Sequence, residues 1–379
     1  MSLDGRPTPN VQPQFVLADE ISFAIIDGRN VLFNAANQTL VEVNGTAAYI
    51  WRSIEVGLGK ENILSEMAGQ GLAREIAESY FDAALVEWAR VGFIKPPQSA
   101  SCIIPDKALL CQDICVAGVA MRIRYASSLA PEIAPVFEHL EFKGTVPDVT
   151  IDAVDQNGRI DLLGDGQWQL SCSREELATI LKGRLLDEVL ERGTYELALH
   201  AAALVRNGRM LLVSGRPGAG KTTLTLALVD AGFGFAGDDL ALLNSEGRVT
   251  GVPFAPAIKA GAWKLVATYR PDIREARVFR RPDRKRVRYP IPRGLVPAVP
   301  YPVGWLVLLD RRSGATAALT PVDSLSALRG MLQEAYTQER QLTTAGFKAM
   351  AHAINSAEYY RLTYSRLEDA VELLHQACG

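Results

Sequence analysis

"LLVSGRPGAGKTTLTLALVDAGFGFAGDD", Leu211 to Asp239, makes two statements about phosphate within a single stretch. The first lies in Gly215-Arg216-Pro217-Gly218-Ala219-Gly220-Lys221-Thr222, which fits G-x-x-x-x-G-K-[ST] at every fixed position, with Thr223 next in the chain. Such a loop wraps phosphates with backbone N–H groups that a Cβ would crowd. The next helix presents its positive N-terminal end to the same anion. In this pattern Lys221 reaches the terminal phosphate oxygens and the Thr222 hydroxyl ligates Mg²⁺. The flanks agree: the apolar "MLLVS" predicts a strand, and "TTLTLALVDAG" predicts a helix with Leu224 and Leu228 one turn apart and Gly232 ending it. The expected ligands are a nucleoside triphosphate and Mg²⁺, with residues 215–223 as the nucleotide-binding set.

The second statement is "GFGFAGDD", whose Asp238 and Asp239 come 17 and 18 residues after Lys221. That span holds one helix and one returning strand. A competing metal carboxylate is Asp310, which ends the apolar run "GWLVLLD" but also reads as a turn residue leading into "RRSG". Paired carboxylates divide labour: one stays on the metal, and the other accepts a proton from an attacking hydroxyl. His200, in "LALHAAALV", falls near the end of the sheet where the loop begins if that run pairs with "RMLLVS". The turn Asn207-Gly208 between the two predicts such a hairpin. There His200 is placed to hydrogen-bond one of the aspartates and tune its basicity.

The frame around this stretch is that of an ordinary folded protein. The chain has 379 residues, 48% hydrophobic and 22% charged, enough for two or three domains. A net charge of −3 gives no overall reason to expect nucleic acid or a membrane surface as partner. The N-terminus, "MSLDGRPTPNVQPQ", lacks the apolar core of a signal peptide, and no run is long enough to span a bilayer. Five cysteines without a C-x-x-C pair read as free thiols, so a cytoplasmic location is expected. Cys111 and Cys115, four apart, would share a face of a helix, but two thiolates alone do not make a structural zinc site.

The patterning divides the chain into three blocks. Residues 1–97 carry strand-like "SFAII", "NVLFN" and "TLVEV", with a hairpin turn at Asp27-Gly28. A helix then starts at the cap-type residues Asn44 and Thr46, a second covers about 61–68, and a third about 73–90. The third places Ile76, Tyr80, Ala84, Leu85 and Trp88 on one face, and prolines at 96–97 mark a linker. A small hairpin with three helices predicts a winged-helix-like α+β domain. Residues 98–195 read as an α+β segment packing on the C-terminal block, with a long helix near 174–192 striped by Leu177, Ile180, Leu181, Leu185 and Val189. Residues 196–379 form the α/β block that carries the loop.

The stretch "LHAAALVRNGRMLLVSGRPGAGKTTLTLALVDAGFGFAGDDLALLN" resembles the HPr serine kinase/phosphorylase catalytic domain, and more closely its HPr kinase-related branch. The resemblance implies a fold shared with phosphoenolpyruvate carboxykinase and ATP-dependent phosphorylation of a hydroxyl, typically a serine on a protein. It makes Asp238 the general base, Asp239 a metal-side carboxylate and His200 the partner of the base. "GVPFAPAIKAG" resembles that branch's Pro-rich strand ending in lysine, which would bring Lys259 towards the phosphates. The "LEIRG" signature is absent, so HPr itself is not the expected substrate. Separately, "NVLFNAANQTLVEVNGTAAYIW" with "ARVGFIKP" resembles PqqD-like peptide chaperones, which add a bound peptide as a strand to a small sheet. A peptide or protein hydroxyl is then the expected acceptor. An ATPase switch using Asp310 and water, or a nucleotide sensor without chemistry, are the alternatives, and a homo-oligomer is compatible with the sequence.

One further segment asks for a partner. "RPDIREARVFRRPDRKRVRYPIPR", 270–293, packs ten Lys/Arg against three acids. It reads equally as an anion-binding surface and as a solvated loop, and its two aromatics, Phe279 and Tyr289, are too few for a nucleic-acid stacking platform.

Overall fold

Two Asx-Gly turns set hairpins where the sequence asks for them. Asp27 and Gly28 have φ of 49° and 77°, and Asn207 and Gly208 have 50° and 71°. Two consecutive positive φ values match the right-handed twist of the strands they join. The computed structural model describes residues 16–18, 20–35, 39–95, 109–144, 146–156, 158–336 and 342–379. The prolines at 96–97 and Cys102 lie outside them. Internal contacts divide the chain into two units, Met1–Leu109 with Ile151–Arg174, and Leu110–Thr150 with Glu175–Gly379. The segment 98–195 is therefore shared between the two.

In the first unit, β1 (Val16–Leu17) pairs with β5 (Ile94–Lys95). Strands β2 (Ile21–Ile26), β3 (Arg29–Asn34) and β4 (Thr39–Val43) form an antiparallel sheet in that order. Helices α1 (Gly45–Glu55), α2 (Lys60–Gly69) and α3 (Arg74–Arg90) come next. The Asn44 side chain caps α1 by accepting from the Ala47 N–H at 2.8 Å. The core is aromatic, with Trp51 and Trp88 edge to face at 5.1 Å beside Phe81 and Phe93. On α3 the buried face is Ala77, Phe81 and Trp88, while Ile76 and Tyr80 are exposed. Of the expected face, Trp88 is buried and Ala84 and Leu85 pack against the core, whereas in the first turns burial falls on Ala77 and Phe81 in place of Ile76 and Tyr80. A meander of β8 (Val149–Gln156), β9 (Arg159–Gly164) and β10 (Gln167–Ser173) supplies the rest of this unit.

The second unit opens with β6 (Leu109–Val116) and β7 (Val119–Ala126), then α4 (Ala130–Phe137) and α5 (Leu177–Arg192). Cys111 and Cys115 lie on strand β6, not on a helix, and are free thiols. Its main sheet is mixed. Strand β13 (Arg209–Ser214) pairs with β12 (Ala202–Arg206) on one side and, in parallel, with β20 (Tyr301–Arg311) on the other. Beyond β12 lies β14 (Gly234–Gly237), antiparallel to it; beyond β20 lies β23 (Glu358–Tyr364), parallel to it and edged by β21 (Ala318–Pro321). The start of β20 continues through β16 (Arg248–Gly251) and β15 (Ala241–Leu243) to β11 (Leu197–Leu199) and β22 (Ala335–Tyr336). The run "LALHAAALV" is two strands, broken at His200-Ala201 where the chain passes between the halves of this sheet.

Both faces are covered, which explains the unbroken apolar run of β13. Leu211 and Val213 pack with Leu224 and Leu228 of α6 (Lys221–Asp230) and with Leu374 of α10 (Leu367–Ala377). Met210 and Leu212 face Met331 of α8 (Ser324–Gln333) and Met350 of α9 (Thr344–Asn355). Strands β13, β14, β20 and β23 run the same way, so their C-terminal ends share one edge, where open α/β sheets hold ligands.

The basic segment is folded. It contributes β18 (Val278–Arg280) and β19 (Arg286–Arg288) to a small sheet with β17 (Ile258–Lys259), beside the short helix α7 (Trp263–Val266). Its charges are largely answered within the chain: Arg270 by Asp272 at 2.6 Å, Arg280 by Glu175 at 2.8 Å, and Lys285 by Asp283 at 2.9 Å. Arg288 and Arg286 lie over the Trp263 ring at 4.3 and 5.7 Å.

Gly237, the last residue of β14, sits where a side chain has no room. A Cβ there would lie 2.7 Å from the Val252 carbonyl oxygen and 2.9 Å from its nitrogen. Gly237→Ala is expected to destabilise the protein by about 1–3 kcal/mol, read as a lower denaturant midpoint. An unchanged midpoint would show that the segment at Val252 yields freely.

Candidate phosphate and carboxylate site

The glycine-rich turn joins β13 to α6, and its glycines are there for steric reasons. Gly218 and Gly220 have φ of 87° and 99°. A Cβ on Gly220 would also lie 3.1 Å from the Tyr364 hydroxyl. Arg216, Pro217 and Gly218 are exposed at the tip, and Ala219 is half-buried. Lys221 is buried at the start of α6, and its Nζ donates to the Gly215 carbonyl oxygen at 2.5 Å. Thr222 and Thr223 complete the first turn. Burial pulls the Lys221 ammonium below its usual pKa, and Lys259 adds repulsion; Glu334, Asp238 and Asp239 draw it back.

Asp238 and Asp239 come directly after β14, at the same edge of the sheet. Asp238 is 2% exposed, and neither of its carboxylate oxygens has a hydrogen-bond partner of good geometry. Burial, with repulsion from Asp239, pushes it up to about 7 despite the nearby Thr222 hydroxyl, Lys182 and Lys221. Asp239 behaves oppositely. Its Oδ2 is 3.0 Å from the Lys182 Nζ, and that ammonium holds its carboxyl below the usual range. Neighbouring carboxylates are thereby driven apart in basicity.

His200 lies between β11 and β12, its backbone N–H bonded to the Glu334 carbonyl at 2.8 Å. It makes no hydrogen bond to either aspartate and acts on Asp239 through space alone. Lys259 is exposed on β17, within electrostatic reach of Lys221. Asp310, at the end of β20, is held by Arg312 through both oxygens, at 3.0 and 2.6 Å.

Sequence reasoning missed Lys182. It sits on α5, 57 residues before Asp239, and donates also to the Ala255 carbonyl at 3.1 Å, with the Tyr289 ring 5.7 Å away. Its signal was a position three and seven residues before Leu185 and Val189, which places a lysine on the buried stripe of its helix. Glu334, at the end of α8, is a second residue that reasoning missed.

No protein-family model matches this chain, and no curated protein matches it. Among solved structures, the Hpr(Ser) kinase/phosphatase from Coxiella burnetii is similar to 48% of the chain and 96% of its own, at 12% identity and a TM-score of 0.23. A likeness that weak adds nothing to the assignment of a mixed α/β fold, which rests on the strand order itself. No helix among the described residues is long and apolar enough to cross a membrane.

The carboxylates generate two expected outcomes. A raised pKa means that Asp238 costs nothing below its unfolded value of 3.8 and destabilises progressively as pH climbs through about 7. Asp238→Asn is therefore expected to raise Tm at pH 8 by several degrees and to change it little at pH 4; an equal shift at both would refute the buried charge. Lys182→Met is expected to cost about 1–3 kcal/mol in denaturant unfolding, because Asp239 is only partly exposed and loses its partner.

Proposed function

We propose that this chain is an ATP- and Mg²⁺-dependent kinase that transfers the γ-phosphate to a hydroxyl, a Ser or Thr of a peptide or protein held by its N-terminal unit. The observation that carries this reading is Asp238: a buried carboxylate, raised to about 7, beside Lys221 and the Thr222 hydroxyl at the mouth of a glycine-rich turn. A base is most useful when its pKa lies near the working pH.

The residues fit the metal as well as the nucleotide. Backbone N–H groups of the turn would cradle the phosphates, with Lys221 at the terminal one. Mg²⁺ keeps several waters and leans on substrate phosphates, so one or two protein ligands suffice for it. Thr222 and Asp239 would hold it, and it would neutralise charge on the phosphate oxygens. In the transfer, the acceptor oxygen bonds to the γ-phosphorus as the bond to the β-phosphate oxygen breaks. ADP leaves, and the hydroxyl proton passes to Asp238. Lys182 keeps Asp239 ionised and oriented, with one oxygen uncommitted.

The peptide-holding role is supported by the first unit. Strand β2 is an edge strand with Ile25 and Ile26 exposed, beside a cleft of about 510 Å³ lined by Phe23, Ile25, Tyr49 and Arg52. An extended segment can pair with such an edge. Hydrolysis with Asp310 as the metal carboxylate gains no support, since Arg312 occupies both of its oxygens.

One observation favours a second division of labour. Asp238 stands beside Thr222, the expected metal ligand, so Asp238 is also placed to serve the metal. Steady-state kinetics separate the two. If Asp238 is the base, Asp238→Asn lowers kcat by about 10²–10⁴-fold and leaves the Mg²⁺ requirement and nucleotide affinity intact. If it serves the metal, the same variant raises the Mg²⁺ concentration needed for half-maximal rate. Transfer at the wild-type rate would sink both.

A further inference from the structure

On the β20 side of the glycine-rich turn lies a cleft of about 550 Å³, within the range of ligand pockets. Its walls include Ser214 and Gly215 of the turn, Glu334, and the arginines Arg216, Arg311, Arg312 and Arg361. Three of these guanidiniums act on one carboxylate, that of Asp310, which is held low first by Arg312 and then by Arg361 and Arg216. Arg312 alone satisfies both oxygens of Asp310, and among the described residues Arg361 and Arg216 have no ion pair of their own. Both are exposed.

The position of the cleft relative to the turn says which end of a nucleotide it meets. Its inner wall contains Gly215, whose carbonyl takes the Lys221 Nζ, and Glu334, the foremost charged neighbour drawing on Lys221. In such loops the lysine marks the terminal phosphate. A smaller cleft of about 180 Å³, lined by Gly220, Thr223 and Leu265, opens elsewhere on the turn, beside the first turn of α6. The large cleft therefore adjoins the turn at its lysine end, and its surplus charge is positive.

We propose that this cleft takes the flank of an acidic acceptor peptide, whose Asp or Glu residues pair with Arg361 and Arg216 while its hydroxyl reaches across the glycine-rich turn to Asp238. The inference rests on the kinase reading and adds the chemical class of the acceptor. Planar guanidiniums suit carboxylates because two parallel N–H bonds meet two oxygens. Asp310 would then act as a counter-charge that keeps Arg312 in place and the cleft from collapsing onto nucleotide phosphates.

The test uses the full chain with Mg²⁺ and a non-hydrolysable ATP analogue. Two fluorescent decapeptides are titrated, one with a serine between Asp and Glu residues and one with Asn and Gln in their places. The acidic peptide is expected to bind at least about tenfold more tightly, with an advantage that shrinks as salt is raised. Arg361→Ala is expected to remove most of that advantage, and Arg361→Lys to restore only part of it. Equal binding of the two peptides, or an advantage untouched by Arg361→Ala, would overturn the proposal. So would a loss of affinity for the ATP analogue in Arg361→Ala, which would assign the guanidinium to the nucleotide. Failure of the kinase reading is read separately, as absence of labelled phosphate on the bound acidic peptide when ATP replaces the analogue.

Discussion

Two consecutive carboxylates at a sheet edge, one of them removed from water, are the constraint around which the second unit is organised. Neighbouring like charges repel, and burial penalises each. The fold answers by giving them different fates. Asp239 receives an ammonium from α5 and stays ionised, while Asp238 receives only weak company and holds its proton up to neutral pH. Everything nearby takes its position from that asymmetry: the close passage of Val252 against Gly237, the Ala255 carbonyl on Lys182, and the Lys221 ammonium, held down by burial and drawn up by acids.

Sheet direction turns this local arrangement into a site. Because β13, β14, β20 and β23 run one way, the glycine-rich turn, the aspartate pair, the Asp310–Arg312 pair and Tyr364 reach the same edge from four strands. The strand between β13 and β14 runs opposite, which places the carboxylates one strand removed from the turn instead of next to it.

Legibility in the sequence tracked chain proximity. The turn, α6 and both Asx-Gly hairpins were readable because their chemistry is contiguous: positive-φ residues, an apolar run, a capping pattern. The aspartate pair could be singled out for its closeness to Lys221, although the sequence contained nothing about which would be buried. Lys182 was missed because its partner lies 57 residues away, and a lysine on an amphipathic helix ordinarily snorkels to solvent. Glu334 and Arg361 were invisible for the same reason, arriving from α8 and β23. The α3 face was legible at Ala84, Leu85 and Trp88 and not in the first turns, where Ile76 and Ala77, and Tyr80 and Phe81, are apolar neighbours and only packing decides which is buried. The basic segment was ambiguous because its charge runs were visible and its partners, Glu132 and Glu175, belong to earlier elements.

The lysine on α5 also bears on where the functional module begins. A polypeptide starting at residue 196 would contain the whole glycine-rich turn, both aspartates and every strand of the main sheet. It would lack the ammonium that bonds Asp239 and does most to keep it ionised. The smallest independent version of this site therefore starts before α5, and the boundary of the working unit is drawn by charge compensation, upstream of where the sheet itself begins.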